Sequence, residues 1–163
     1  MTLGELNASS DEQALAVFLR CCGSRRWAER MTAARPFGDA ESMIAIGDIV
    51  WSGLGREDWL EAFAAHPRIG DRGAGGTAGW AAQEQAGAAE ADTDVKRRLA
   101  ERNRDYEARF GYIFIVCATG KSASEMLALL ERRLSNDTAR ELPIAAEQQR
   151  QITSLRLAKL LGR

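Results

Sequence analysis

Histidine occurs once in this chain, at position 66, and cysteine three times, at 21, 22 and 117. An odd cysteine number with two of them adjacent excludes a disulfide framework. The four Cys or His ligands of a structural zinc site, at their fixed spacings, are missing too. Counting leaves carboxylate-bound Mg or Ca open, but no EF-hand pattern appears, and no metal is expected. The chain also lacks a surplus of either charge: 22 Lys and Arg stand against 23 Asp and Glu, a formal net charge of -1. Nucleic-acid binding normally needs a basic surplus or patch, so it is not expected. No apolar run reaches the 18 residues of a membrane span. The opening Met1-Thr-Leu-Gly-Glu-Leu6 has neither the basic nor the apolar region of a signal peptide, which reads as cytoplasmic. Internal repeats, low-complexity linkers and composition breaks are likewise missing, and 163 residues suit one domain with its own core.

What the chain does have is helical periodicity. Residues 11–22 place Leu15, Phe18, Leu19 and Cys22 at i, i+3, i+4 and i+7, behind a capping box from Ser9 to Glu12. Further helices are predicted over Ser42–Trp51 and over Arg56–Ala65, where Trp59, Leu60 and Phe63 share a face and Pro67 forces a stop near His66. Residues 70–79 hold five glycines and read as an irregular loop, followed by a short helix over Trp80–Ala89. A longer helix over 92–110 carries Val95, Leu99, Tyr106 and Phe110 on one stripe. Tyr112–Ala118 has no charge and is rich in β-branched and aromatic residues, but period alone does not separate a buried strand from a buried helical or extended segment. Ser122 with Glu125 and Thr138 with Glu141 read as capping boxes of two last helices, the second turning Ile152, Leu155 and Leu160 inward. The fold expected is all-α: a single-domain multi-helix bundle over residues 1–163 with an irregular apolar segment near 111–118.

Several features read first as structure. Gly73–Ala78 matches the loose form of a dinucleotide fingerprint, but a His-Pro turn precedes it where a strand is required, and no phosphate-loop lysine follows. Cys117 sits in an apolar setting that suits packing better than nucleophilic attack. The pairs Arg25-Arg26 and Arg132-Arg133 read as solvated helix faces. Four residues leave more than one reading open. His66, at a helix end beside a glycine-rich loop, is either a capping residue or an acid–base group in a cleft. Glu84 and Gln85 are either solvent-facing or a proton relay beside an amide clamp. Arg156 shares the stripe of Ile152 and Leu160, so its guanidinium needs an internal carboxylate, an anionic substrate or a route out to water.

Taken together, the motifs resemble those of the 2-oxo-4-hydroxy-4-carboxy-5-ureidoimidazoline (OHCU) decarboxylases. The resemblance rests on Cys21-Cys-Gly-Ser24, Arg26-Trp-Ala28, Met31, Arg35-Pro-Phe37, Ala65-His-Pro-Arg-Ile-Gly-Asp71, Glu84-Gln-Ala-Gly87 and Asn103-Arg-Asp-Tyr-Glu107. It continues through Phe110-Gly-Tyr-Ile-Phe-Ile-Val-Cys-Ala-Thr-Gly-Lys121, Glu141-Leu, Glu147-Gln and Ile152-Thr-Ser-Leu-Arg-Leu157, and so spans roughly residues 15–161. His-Pro-Arg-Ile-Gly-Asp followed by the Phe-Gly to Gly-Lys block is the specific part. The resemblance implies an all-helical, cofactor-free enzyme of purine catabolism that converts OHCU to (S)-allantoin, and it favours a homodimer. It implies His66 as catalytic acid–base residue with Glu84 and Arg156, and substrate contacts from Pro67, Ala81, Gln85 and the block Phe114, Ile115, Val116, Cys117 and Ala118. Many relatives carry a serine near Ala81, so one substrate hydrogen bond is expected to be lost there. The end Leu-Leu-Gly-Arg163 differs from the Ser-Lys-Leu signal of some relatives, and no fused transthyretin-like hydrolase is expected.

Two other function classes compete with the decarboxylase. One is a helical interaction module that kept the scaffold and lost the reaction, which loss of His66 or Glu84 would have favoured. The other is a hydrolase using Cys117 as nucleophile.

Overall fold

A computed structural model describes residues 1–69, 83, 84, 86 and 93–162. The described residues form eight helices and no strand, so the all-α expectation holds. They pack as two compact units, residues 1–62 with 150–163, and residues 63–149.

In the first unit, α1 (Leu3–Ala8) and α2 (Asp11–Cys21) open on reciprocal caps, Thr2 with Glu5 and Ser10 with Gln13. The α2 box is therefore one residue later than the expected Ser9–Glu12. Ser9 instead closes α1, its N–H and Oγ both donating to the Leu6 carbonyl. The buried face of α2 is Ala14, Phe18 and Cys21, while Leu15 and Leu19 are half-buried and Cys22 is buried just past the helix end. Two elements follow: α3 (Arg25–Ala33), capped by Ser24, and α4 (Ala40–Ser52), capped by Asp39. The α1 and α3 helices carry no apolar stripe long enough for the periodicity to find. The Trp27 indole donates to the Gly47 carbonyl at 3.0 Å. A Cβ at Gly47 would lie 3.3 Å from Leu157 Cδ1 and 3.4 Å from Trp27 Cζ2, so a hydrogen at that position is what permits the approach. The Phe18 ring meets Trp27 and Phe37 edge-on. The Arg35 fork gathers the carbonyls of Leu6, Ser9 and Thr32 and the Asp11 carboxylate.

The start of α5 (Arg56–Ala64) also belongs here, as does the last part of α8 (Thr138–Leu160). The latter turns Ile152, Thr153, Arg156 and Leu157 inward. Leu155, expected inside, is 38% exposed, because it lies about 100° around the helix from Arg156 and off the 152/156 stripe.

The second unit takes the end of α5, α6 (Thr93–Phe110), α7 (Ala123–Leu134) and α8 as far as Gln149. Gly111, at φ +82°, ends α6 and donates to the Glu107 carbonyl at 2.9 Å, a left-handed turn that glycine adopts without Cβ strain. The core brings Leu99, Tyr106 and Phe110 of α6 against Phe114, Val116 and Ala118 and against Ala123, Met126 and Leu130 of α7. Residues 113–118 form neither helix nor strand and are the irregular segment expected there.

Of the two capping expectations in this unit, one changes. Ser122 accepts the Glu125 N–H at 3.1 Å as the start of α7. At α8, however, the cap is Asp137, which accepts the Arg140 N–H through its side chain and the Glu141 N–H through its carbonyl. Glu141 is freed from capping and lies fully buried. Its carboxylate accepts from the Tyr106 hydroxyl and Arg133 Nε, both at 2.6 Å, and from Asn136 Nδ2 at 2.9 Å. Arg133, expected on a solvated face, is buried in this network, whereas Arg25 and Arg26 are exposed as expected.

Candidate active site

Pro67 ends α5 as expected, and His66 occupies the turn it forces, its N–H donating to the Phe63 carbonyl at 3.1 Å. Two contacts anchor this turn. Arg68 forms a forked pair with the Glu107 carboxylate, with Nε–O and Nη2–O distances of 3.0 Å. The buried Phe63 ring packs on Tyr112 at 5.3 Å between centroids. His66 Nε2 lies 2.7 Å from Oε1 of Gln149, a side chain with no exposed surface.

All five residues Phe114–Ala118 are buried. A segment outside helix and sheet must find partners for its peptide groups elsewhere, and here side chains supply three of them. Arg133 Nη1 donates to the Ile115 carbonyl at 2.6 Å, with its guanidinium 4.6 Å above the Phe114 ring. The Cys117 N–H donates to Gln148 Oε1 at 2.9 Å, and Lys121 Nζ donates to the Cys117 carbonyl at 2.7 Å. Burial pushes the Tyr106 hydroxyl well above the usual phenol range, and its bond to Glu141 adds to the effect, so it stays protonated as a donor. The consecutive glutamines Gln148 and Gln149 thus tie the 114–118 segment and His66 to one turn of α8. The Glu147-Gln motif marked this stretch in the sequence, but nothing local distinguished Gln149 as the partner of His66.

The remaining candidates are placed as follows. Glu84 is helical and half-buried, within the predicted 80–89 helix, and Pro67 is half-buried beside His66. Ala81, Gln85 and the glycine-rich stretch 70–79 lie outside the described residues. Arg156 belongs to the first unit and is 2% exposed, so its inward direction is as expected. Its charge acts on Cys21 and Cys22, yet burial dominates and pushes those thiols up to about 12 and about 11. Cys117 is buried and in no disulfide, and its peptide group carries the hydrogen bonds given above. Among the described residues no group of three His, Cys, Asp or Glu side chains is arranged to hold a metal ion, and no helix is long and apolar enough to cross a membrane.

The family model for OHCU decarboxylase matches residues 7–158. The chain belongs to the OHCU decarboxylase family. Within curated proteins, it is 40% identical over 147 residues to the uric acid degradation bifunctional protein TTL of Arabidopsis thaliana, covering 87% of this chain but only 45% of that protein. An OHCU decarboxylase of Amia calva is 31% identical over 79% of this chain and 76% of its own length. One from Haloferax volcanii is 26% identical over 98% and 95%. Among solved structures, the crystal structure of an OHCU decarboxylase in the presence of (S)-allantoin superposes with a TM-score of 0.81 at 37% identity, covering 95% of this chain and all of the other. An (S)-allantoin synthase at 17% identity and TM-score 0.72 shares the fold. The resemblance read from the motifs and the family match therefore agree.

Proposed function

We propose that this chain carries out the carboxy-lyase reaction of its family in uric acid degradation, with His66 as the acid–base group and OHCU as substrate. The observation that carries the reading is the family match over residues 7–158, which includes the His-Pro motif. The chemistry needs no external electron sink. As the bond to the carboxylate carbon breaks, its electron pair moves into the ring and the adjoining imine nitrogen takes up charge and a proton. The enol that results loses its hydroxyl proton and gains one at the ureido-bearing carbon, giving allantoin. Delivery of that proton from one face sets the S configuration.

His66 is suited to move these protons, because imidazole titrates near working pH. In the same reading, Glu84 handles the hydroxyl proton and Arg156 offsets the anion. Pro67, Ala81 and Gln85 line the substrate, and peptide groups of Phe114–Ala118 read its flat, amide-rich ring. A homodimer working in the cytoplasm completes the proposal.

The test generates OHCU freshly with urate oxidase and 5-hydroxyisourate hydrolase and follows circular dichroism. The (S)-allantoin signal is expected to rise faster with the wild-type chain, and His66→Ala is expected to lower kcat by about 10²–10⁴-fold. Equal rates with and without the wild-type chain would refute the decarboxylase. Activity surviving in His66→Ala would move the proton donor to Glu84.

A further inference from the structure

We infer that Gln149 is the positioning residue for His66, holding the imidazole as its Nε2–H tautomer so that the lone pair resides on Nδ1. The inference rests on the decarboxylase reading for its catalytic consequence, and on geometry for the tautomer itself. The His66 ring lies past the end of α5, where no helical backbone holds its orientation. Gln149 reaches it from within the 23-residue helix α8, and the contact spans 83 positions of sequence at 2.7 Å. A carboxamide oxygen accepts and never donates, so Nε2 must carry the hydrogen. Gln149 has no exposed surface, so water does not compete for its oxygen, and a bond in such surroundings is stronger than in solvent.

The chemical consequence concerns which nitrogen exchanges protons. In neutral imidazole with Nε2 protonated, Nδ1 is the base. As imidazolium the ring gives its Nδ1 proton to the ureido-bearing carbon while Glu84 takes the hydroxyl proton, and Nε2–H remains on Gln149 throughout. The adjacent Gln148 holds the Cys117 N–H, so neighbouring positions on one helix set the ring's orientation and the place of the 114–118 segment.

His66 is the chain's only histidine, so selective ¹⁵N labelling of histidine yields one pair of ring signals. At a pH where the ring is neutral, wild type is expected to show a protonated Nε2 and an unprotonated Nδ1. Gln149→Leu is expected to mix the two tautomers and to lower kcat roughly 10-fold with KM within about two-fold. Gln149→Glu, which keeps an acceptor oxygen, is expected to keep the proton on Nε2. A wild-type spectrum with the proton on Nδ1 would mean that the amide is reversed and would overturn the inference. So would a Gln149→Leu spectrum and kcat indistinguishable from wild type. Failure of the decarboxylase reading shows separately, as a wild-type chain inactive in the coupled assay. The tautomer is decided by the nitrogen spectrum in either case.

Discussion

Arg133 donates to the Ile115 carbonyl at 2.6 Å while its Nε donates to the Glu141 carboxylate at the same distance. One buried guanidinium therefore fixes the irregular segment to a charge held on α8. Breaking such a pair from one side leaves an uncompensated buried charge, which costs far more than removing both partners. Arg133→Met is expected to lower unfolding free energy by roughly 3–5 kcal/mol. The double variant Arg133→Met/Glu141→Leu is expected to lose less than the single one. Urea denaturation of the three proteins measures both effects, and a double variant as damaged as the single would show that the charge itself is not the issue.

Gln148 makes a different kind of support, a neutral bond to the Cys117 N–H. Gln148→Met removes the acceptor and leaves that N–H without it, a loss of about 1–3 kcal/mol in stability. If peptide groups of 114–118 read the substrate, their displacement weakens binding more than proton transfer. KM is expected to rise several-fold with kcat nearly unchanged, the opposite of the split expected for Gln149→Leu. Steady-state kinetics at saturating and limiting OHCU separate the two patterns.

The thiols of Cys21 and Cys22 titrate at about 12 and about 11 in the folded chain, raised from a reference of 9.0 by burial. Below pH 9 both states keep their protons and stability is unaffected. As pH rises above 9 the unfolded chain releases these protons first, so it binds fewer than the native chain and unfolding becomes easier. Stability is expected to fall through the window from pH 9 to about 11–12, by about 1.4 kcal/mol per pH unit for each thiol. The Tyr106 hydroxyl, raised in the same direction, adds a slope of the same sign at the upper end. Replacing both cysteines by alanine is expected to flatten the part of the slope that they carry. Unfolding free energies between pH 8 and 11 test this, and an unchanged slope in the double variant would refute it.

The helices that the periodicity located carry several large apolar residues at helical spacing, such as α6 with Val95, Leu99, Tyr106 and Phe110. The caps were less legible. In Ser9-Ser10-Asp-Glu12-Gln13 both serines have a suitable partner three residues on, and composition does not say which backbone turns extended. At Asp137 and Thr138 only the threonine has a glutamate three residues on, yet the structure makes the aspartate the cap.

By itself the sequence determined the helical class, the break at His66-Pro67, the uncharged apolar character of 112–118 and the inward direction of Arg156. Each is a local property, set by spacing along one helix, by proline's geometry or by uninterrupted apolar composition. Only the tertiary structure decided that Arg133 is buried while Arg132 is exposed, that Glu141 anchors Arg133 and does not cap its helix, and that Gln149 meets His66. Neighbouring side chains on a helix differ by about 100° in direction. Which of them enters the interior depends on whether a partner distant in the chain offsets the cost of removing its charge or amide from water.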